Sequence, residues 1–111
     1  MPEPDIQTVP YYLVLLARSK SLAEAEAAFA AHVDFIGEMT AARVVLLGGD
    51  LDPPVDGAEG AYLLHTTSQA EAESWAARDP LVSSGAFAAR VVAWHLVGIA
   101  PAAIDPRLLD A

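Results

Sequence analysis

Two residues far apart in this sequence carry the side chains best suited to proton chemistry, His32 and Asp79. His32 lies in the stretch from Ser21 to Thr40. There Leu22, Ala25, Phe29, His32, Ile36 and Met39 recur at steps of three and four, which places them on one face of a helix. The other five are apolar. A titratable ring on an apolar seam needs a partner for its nitrogens, because an unpartnered buried polar group costs about 1–3 kcal/mol. Asp79 directly precedes Pro80-Leu81-Val82-Ser83-Ser84-Gly85. Locally this reads as a helix restart, with Asp as N-cap, Pro in the first turn and Gly as the stop. Capping is the commoner role for such an aspartate. The functional alternative is a carboxylate at the end of one helix, aimed at the helix beside it. One oxygen would cap while the other held an imidazole nitrogen. That hold fixes the tautomer and stabilises the imidazolium, leaving the second nitrogen free to move protons near neutral pH.

Other residues have the right chemistry with less support from spacing. Ser83 and Ser84 follow Asp79 by one turn and could bond a substrate, although serines there commonly satisfy local backbone. Arg43 and Arg90 begin or line strands and could hold an anion; a solvated edge charge is the commoner role. Tyr11, Tyr12 and Tyr62 could line a cavity between sheet and helices, with plain burial as the alternative. Trp75 and Phe87 are most simply core. His32, His65 and His95 lack paired ligand spacing and the chain has no cysteine, so no metal site and no disulfide is expected. There is no Gly-x-Ser-x-Gly elbow, and Gly48-Gly49 is not followed by the lysine of a phosphate loop. No cofactor is expected.

These residues must be positioned by elements the sequence marks out. Tyr11–Ala17 is a near-continuous apolar run and reads as a buried strand. Ser21 with Glu24 forms a capping box that opens the first helix. Arg43–Leu47 reads as a second strand ending at a glycine turn or bulge. Residues 50–60 hold two prolines, two glycines and four acids, and read as a surface loop. Ala61–Thr66 is a third strand. Ser68 with Glu71 is a second capping box, opening a helix over 69–78. Ala86–Gly98 is a fourth, valine-rich strand. Residues 1–9 form a loose lead-in, 10–99 one domain, and 100–111 a C-terminal extension with two prolines.

The order strand, helix, strand, strand, helix, strand gives an α+β, ferredoxin-like βαββαβ sandwich. Its four-stranded antiparallel sheet carries both helices on one face. Residues 12–16 and 44–47 are apolar on both alternating faces, so the helix-free face would expose a large apolar patch. A homodimer with these faces packed together is the economical remedy; cover by the C-terminal extension is the alternative. The net charge of −9, without a basic patch, argues against nucleic acid and anionic membrane surfaces. No apolar run is long enough to span a bilayer and no export signal is recognisable, so a cytoplasmic location is expected.

Four features together resemble the YCII-related family of small ferredoxin-like proteins. They are His32 in the first helix, Arg43-Val44-Val45-Leu46-Leu47-Gly48-Gly49, the segment from Trp75 through Asp79-Pro80 to Gly85, and Trp94 in the last strand. The resemblance spans roughly residues 10–98. It implies a dimeric α+β barrel and a His–Asp pair at His32 and Asp79. Some relatives act on small ring compounds, including dehydrochlorination of a chlorinated hydroxyquinone. Two positions depart from the pattern: Asp50 stands where the family commonly has proline, and Leu81 where it has an aromatic. Two functions follow as expectations. One is a cofactor-independent isomerase or lyase in which His32 is the general acid/base and Asp79 orients it. The other is a non-catalytic dimeric module that binds a small ligand or a partner.

Overall fold

The computed structural model describes residues 10–98. In chain order they form β1 (Pro10–Arg18), α1 (Leu22–Ala41), β2 (Val45–Val55), β3 (Ala58–Leu64), α2 (Gln69–Arg78), α3 (Pro80–Ser83) and β4 (Phe87–His95). The lead-in and the C-terminal extension fall outside the described residues. Both long helices begin where the serines place them. Ser21 Oγ accepts from the Glu24 N–H at 3.3 Å, and Ser68 Oγ from the Glu71 N–H at 3.1 Å. The Glu71 carboxylate accepts from the Thr67 hydroxyl at 2.6 Å.

The end of α1 corrects one expectation. Arg43 does not open the second strand; it closes the helix. Its φ is 62°, its N–H reaches Thr40 O at 3.0 Å, and the Val44 N–H reaches Met39 O at 2.9 Å. This pair of bonds around a left-handed residue is the Schellman arrangement, which satisfies carbonyls the helix leaves open.

The strand order is β2-β3-β1-β4, with every neighbouring pair antiparallel. The chain is thus the expected ferredoxin-like βαββαβ arrangement. Helix residues Ala25, Ala28, Ala72 and Ala76 are buried with Tyr12, Val14, Leu16, Tyr62 and Leu64 of the sheet. Phe29, Ile36 and Met39, the seam read from the sequence, pack against that core.

A second correction concerns residues 50–60. They are strand for most of their length. β2 runs through Gly48-Gly49 and on to Val55, and β3 starts at Ala58. Asp56 and Gly57 both have positive φ, 49° and 83°, which a tight two-residue hairpin turn requires. β2 is an edge strand, where proline costs no ladder bond if its nitrogen faces outward. Gly48 has a packing reason: opposite Tyr62, a Cβ there would lie 2.7 Å from the Tyr62 Cβ. The pairing is irregular between Asp50 and Val55.

The register assigns the second face as well. Tyr11, Leu13 and Leu15 share it with Leu63, Val92 and Trp94, and Leu47 pairs beside Leu63. Leu47 is 54% exposed and Trp94 47%. No described helix is long and apolar enough to cross a membrane.

Candidate active site

The α1 seam and the α2–α3 junction bring His32 and Asp79 together. His32 Nδ1 lies 2.8 Å from Asp79 Oδ1. Asp79 is completely buried, whereas the His32 side chain keeps 18% of its exposure. Two helix ends fix the aspartate. Its N–H bonds Ala76 O at 3.2 Å at the end of α2, and Oδ1 accepts from the Leu81 N–H at 2.9 Å to cap α3. The expected division of labour between the two carboxylate oxygens is therefore corrected. Oδ1 does both jobs, one lone pair each, and Oδ2 is left for a third donor.

That donor is Tyr62, whose hydroxyl lies 3.1 Å from Oδ2. By sequence, Tyr62 is only one of three tyrosines suited to core or cavity. The signal that could have singled it out is the pairing rule for buried polar tips: a buried phenol needs an acceptor, and Asp79 is a buried acceptor with a spare oxygen. Burial pushes the Tyr62 phenol well above the usual tyrosine range, and the charge of Asp79 and the hydrogen bond to it push further.

An ionised carboxylate only accepts, so Asp79 holds three donors: His32 Nδ1–H, Leu81 N–H and Tyr62 O–H. This network assigns the Nδ1–H tautomer to the neutral ring, which leaves the Nε2 lone pair available. Among the described residues no buried side-chain nitrogen or oxygen lacks a partner.

His32 and Tyr62 line a cavity of about 400 Å³. Leu16, Phe29, Leu81 and Phe87 give it apolar walls, and Asp50 and Glu59 bring carboxylates. Glu59 is paired with Arg18, whose Nε lies 3.1 Å from Oε2. No lysine or arginine is among the lining residues. Both departures from the family pattern, Asp50 and Leu81, thus sit on the cavity wall.

The remaining candidates lie elsewhere. Ser83 and Ser84 line a separate groove with Lys20 and Glu24. Ser84 Oγ donates to Leu81 O and accepts from the Ala86 N–H, both at 3.3 Å. Tyr12 is buried in the core, and Arg43 is exposed at the end of α1. Exposed His65 stacks on Tyr11, ring centroids 5.2 Å apart, and His95 ends β4. Among the described residues no three metal-ligating side chains are grouped.

Fold and site together define a class: a small α+β domain with one helix layer and a histidine–aspartate contact beneath it. The chain belongs to the YCII-related domain family, whose model matches residues 9–95. No curated protein sequence matches it. Among solved structures it is similar to a 5-chloro-2-hydroxyhydroquinone dehydrochlorinase from Burkholderia phenoliruptrix, in complex with 2,5-dihydroxybenzoquinone. The TM-score is 0.59 at 22% identity, covering 77% of this chain and 92% of that one. At that identity the likeness speaks for the fold.

Proposed function

We propose that this protein is a small enzyme that needs no bound cofactor, with His32 as general acid/base and Asp79 as the residue that orients it. The observation that carries the reading is the 2.8 Å contact between His32 Nδ1 and a fully buried carboxylate, on the wall of a cavity. In the reaction, Nε2 takes a proton from carbon beside a carbonyl, or from a hydroxyl, while Asp79 stabilises the imidazolium that forms. Returning that proton at another atom gives isomerisation. If the electron pair of the broken C–H bond instead forms a C=C bond, a leaving group departs with its own pair as an anion, and the result is elimination.

The walls favour a small, largely apolar ring bearing hydroxyl or carbonyl groups. With Asp50 and the Arg18-paired Glu59 at the cavity and no lysine or arginine in its lining, a carboxylate on the substrate finds no fixed cation to pair with. The solved relative, which holds a dihydroxybenzoquinone, supports the same choice. The working unit in this reading is a homodimer packed through the helix-free face, where Leu47 and Trp94 are about half exposed. A cytoplasmic site of action completes the reading. Ser83, Ser84, Arg43 and Tyr12 have no part in the proton transfer.

One observation favours the non-catalytic alternative: the oxygen that holds His32 also caps α3, so the contact has a structural use of its own. His32→Gln separates the two. Native protein and variant are incubated with hydroxylated and chlorinated hydroquinones, 5-chloro-2-hydroxyhydroquinone among them, and followed by absorbance. Turnover that falls about 10²–10⁴-fold in a variant of unchanged melting temperature is the expected result. Equal turnover in both proteins overturns the enzyme reading.

A further inference from the structure

We propose that Tyr62 is a positioning residue that lowers the proton affinity of His32 by competing for Asp79. The proposal rests on the acid/base reading for its functional meaning, but its central measurement needs no substrate. Asp79 accepts on Oδ1 from the His32 ring and the Leu81 N–H, and on Oδ2 from the Tyr62 hydroxyl. A carboxylate divides its charge among its donors. Every donor other than the imidazole weakens the attraction that would favour the imidazolium. The Leu81 bond belongs to the helix cap that Asp-Pro builds. The Tyr62 bond comes from another element, β3, and serves no cap.

The phenol is held for this task. Tyr62 is 4% exposed, so water competes poorly for Oδ2. Its backbone stands between Val14 of β1 and Gly48 of β2 in the ladder. Gly48 lets β2 approach it: a Cβ at that position would fall 2.7 Å from the Tyr62 Cβ and 3.0 Å from Ala61 O. Because burial and Asp79 both resist its ionisation, the phenol stays a donor across neutral pH and cannot serve as a rival base on the cavity wall. His32 Nε2 is left as the proton carrier.

Among the described residues, the other charged groups that line the cavity with His32 are carboxylates. β2 brings Asp50 and β3 brings Glu59 to the same cavity, and Arg18 of β1 pairs with Glu59. To the same cavity wall α1 adds Phe29 and α3 adds Leu81, both apolar. Replacing the Tyr62 hydroxyl alters none of these charges. A change in His32 titration on that replacement therefore reports the Oδ2 bond.

The experiment is an NMR titration of His32 in the full chain, with ring ¹⁵N shifts to read the tautomer. In Tyr62→Phe the midpoint rises above that of the native protein by about half to one pH unit, a fraction of the worth of one hydrogen bond to a charged acceptor. The Nδ1–H tautomer persists in the neutral ring. A midpoint that stays in place or falls, in a folded variant, overturns the proposal. Gly48→Ala is the second test should Tyr62→Phe not fold. It forces Gly48 and Tyr62 apart without removing the hydroxyl, so a rise supports the proposal, and an unmoved midpoint alongside shifted Tyr62 ring resonances overturns it. Failure of the acid/base reading would show differently, as equal turnover in native protein and His32→Gln, whatever the midpoints do.

Discussion

Strand β1 sends Tyr12, Val14 and Leu16 towards the helices and Tyr11, Leu13 and Leu15 to the opposite face, and the two sets keep different company. On the helix side the apolar core ends at a corner of three polar side chains, His32, Asp79 and Tyr62, joined by bonds of 2.8 and 3.1 Å. The other side is mainly apolar, with exposed Arg90 beside Leu15; Tyr11 and Leu63 are buried there, while Leu47 and Trp94 stand about half in solvent. The helix face tolerates polarity only where every donor has an acceptor. The helix-free face has no such demand; it is the face on which the proposed homodimer would pack. One sheet thus separates a hydrogen-bonded polar corner from a largely apolar face, using nothing more than the two-residue alternation of strands.

The sharpest way to break this contrast is Asp79→Ala. It leaves the Tyr62 hydroxyl, the Leu81 N–H and His32 Nδ1 without their acceptor, and destabilises the fold by about 2–4 kcal/mol in urea unfolding. A loss under about 0.5 kcal/mol would mean that the corner is not a cooperative unit. Alkaline pH probes the same corner more gently. The folded Tyr62 phenol ionises well above the roughly pH 10 of an exposed tyrosine. Above about pH 10 the unfolded chain gives up this proton and the folded chain keeps it. The unfolded state then binds fewer protons, so stability falls as pH rises. Below that window the contribution is complete. Urea midpoints taken from about pH 9 to about pH 11 should fall in the native chain and fall less in Tyr62→Phe. The smallest effect on the single chain is expected on the open face. Leu47→Glu with Trp94→Glu should change monomer stability by no more than about 0.5 kcal/mol per site while shifting size-exclusion behaviour from dimer to monomer. Unchanged assembly would remove the association reading of that face.

Much of the corner is written locally. Ser21, Ser68 and Asp79-Pro80 mark three helix starts because capping depends on side chains within one turn of the end. The three-and-four spacing around His32 names its face for the same local reason. What the sequence concealed depends on position in the sheet. Gly48-Gly49 argues for a turn or bulge and Pro53-Pro54 for a loop when weighed singly, but β2 is an edge strand, where such residues are tolerated. Arg43 has no glycine-like mark, yet it takes the left-handed conformation that ends α1. Alternation places Tyr62 on the inner face. It cannot say that its hydroxyl meets the spare oxygen of a residue on another element.

Asp79 finishes one helix with its backbone N–H, and with a single carboxylate oxygen starts the next and grips the ring. Under the acid/base reading, a lineage that abandoned turnover would still be obliged to keep this acid in order to stay folded. Drift should therefore erase the imidazole long before the aspartate, and a descendant retaining only the aspartate would be a fossil of architecture, silent about chemistry.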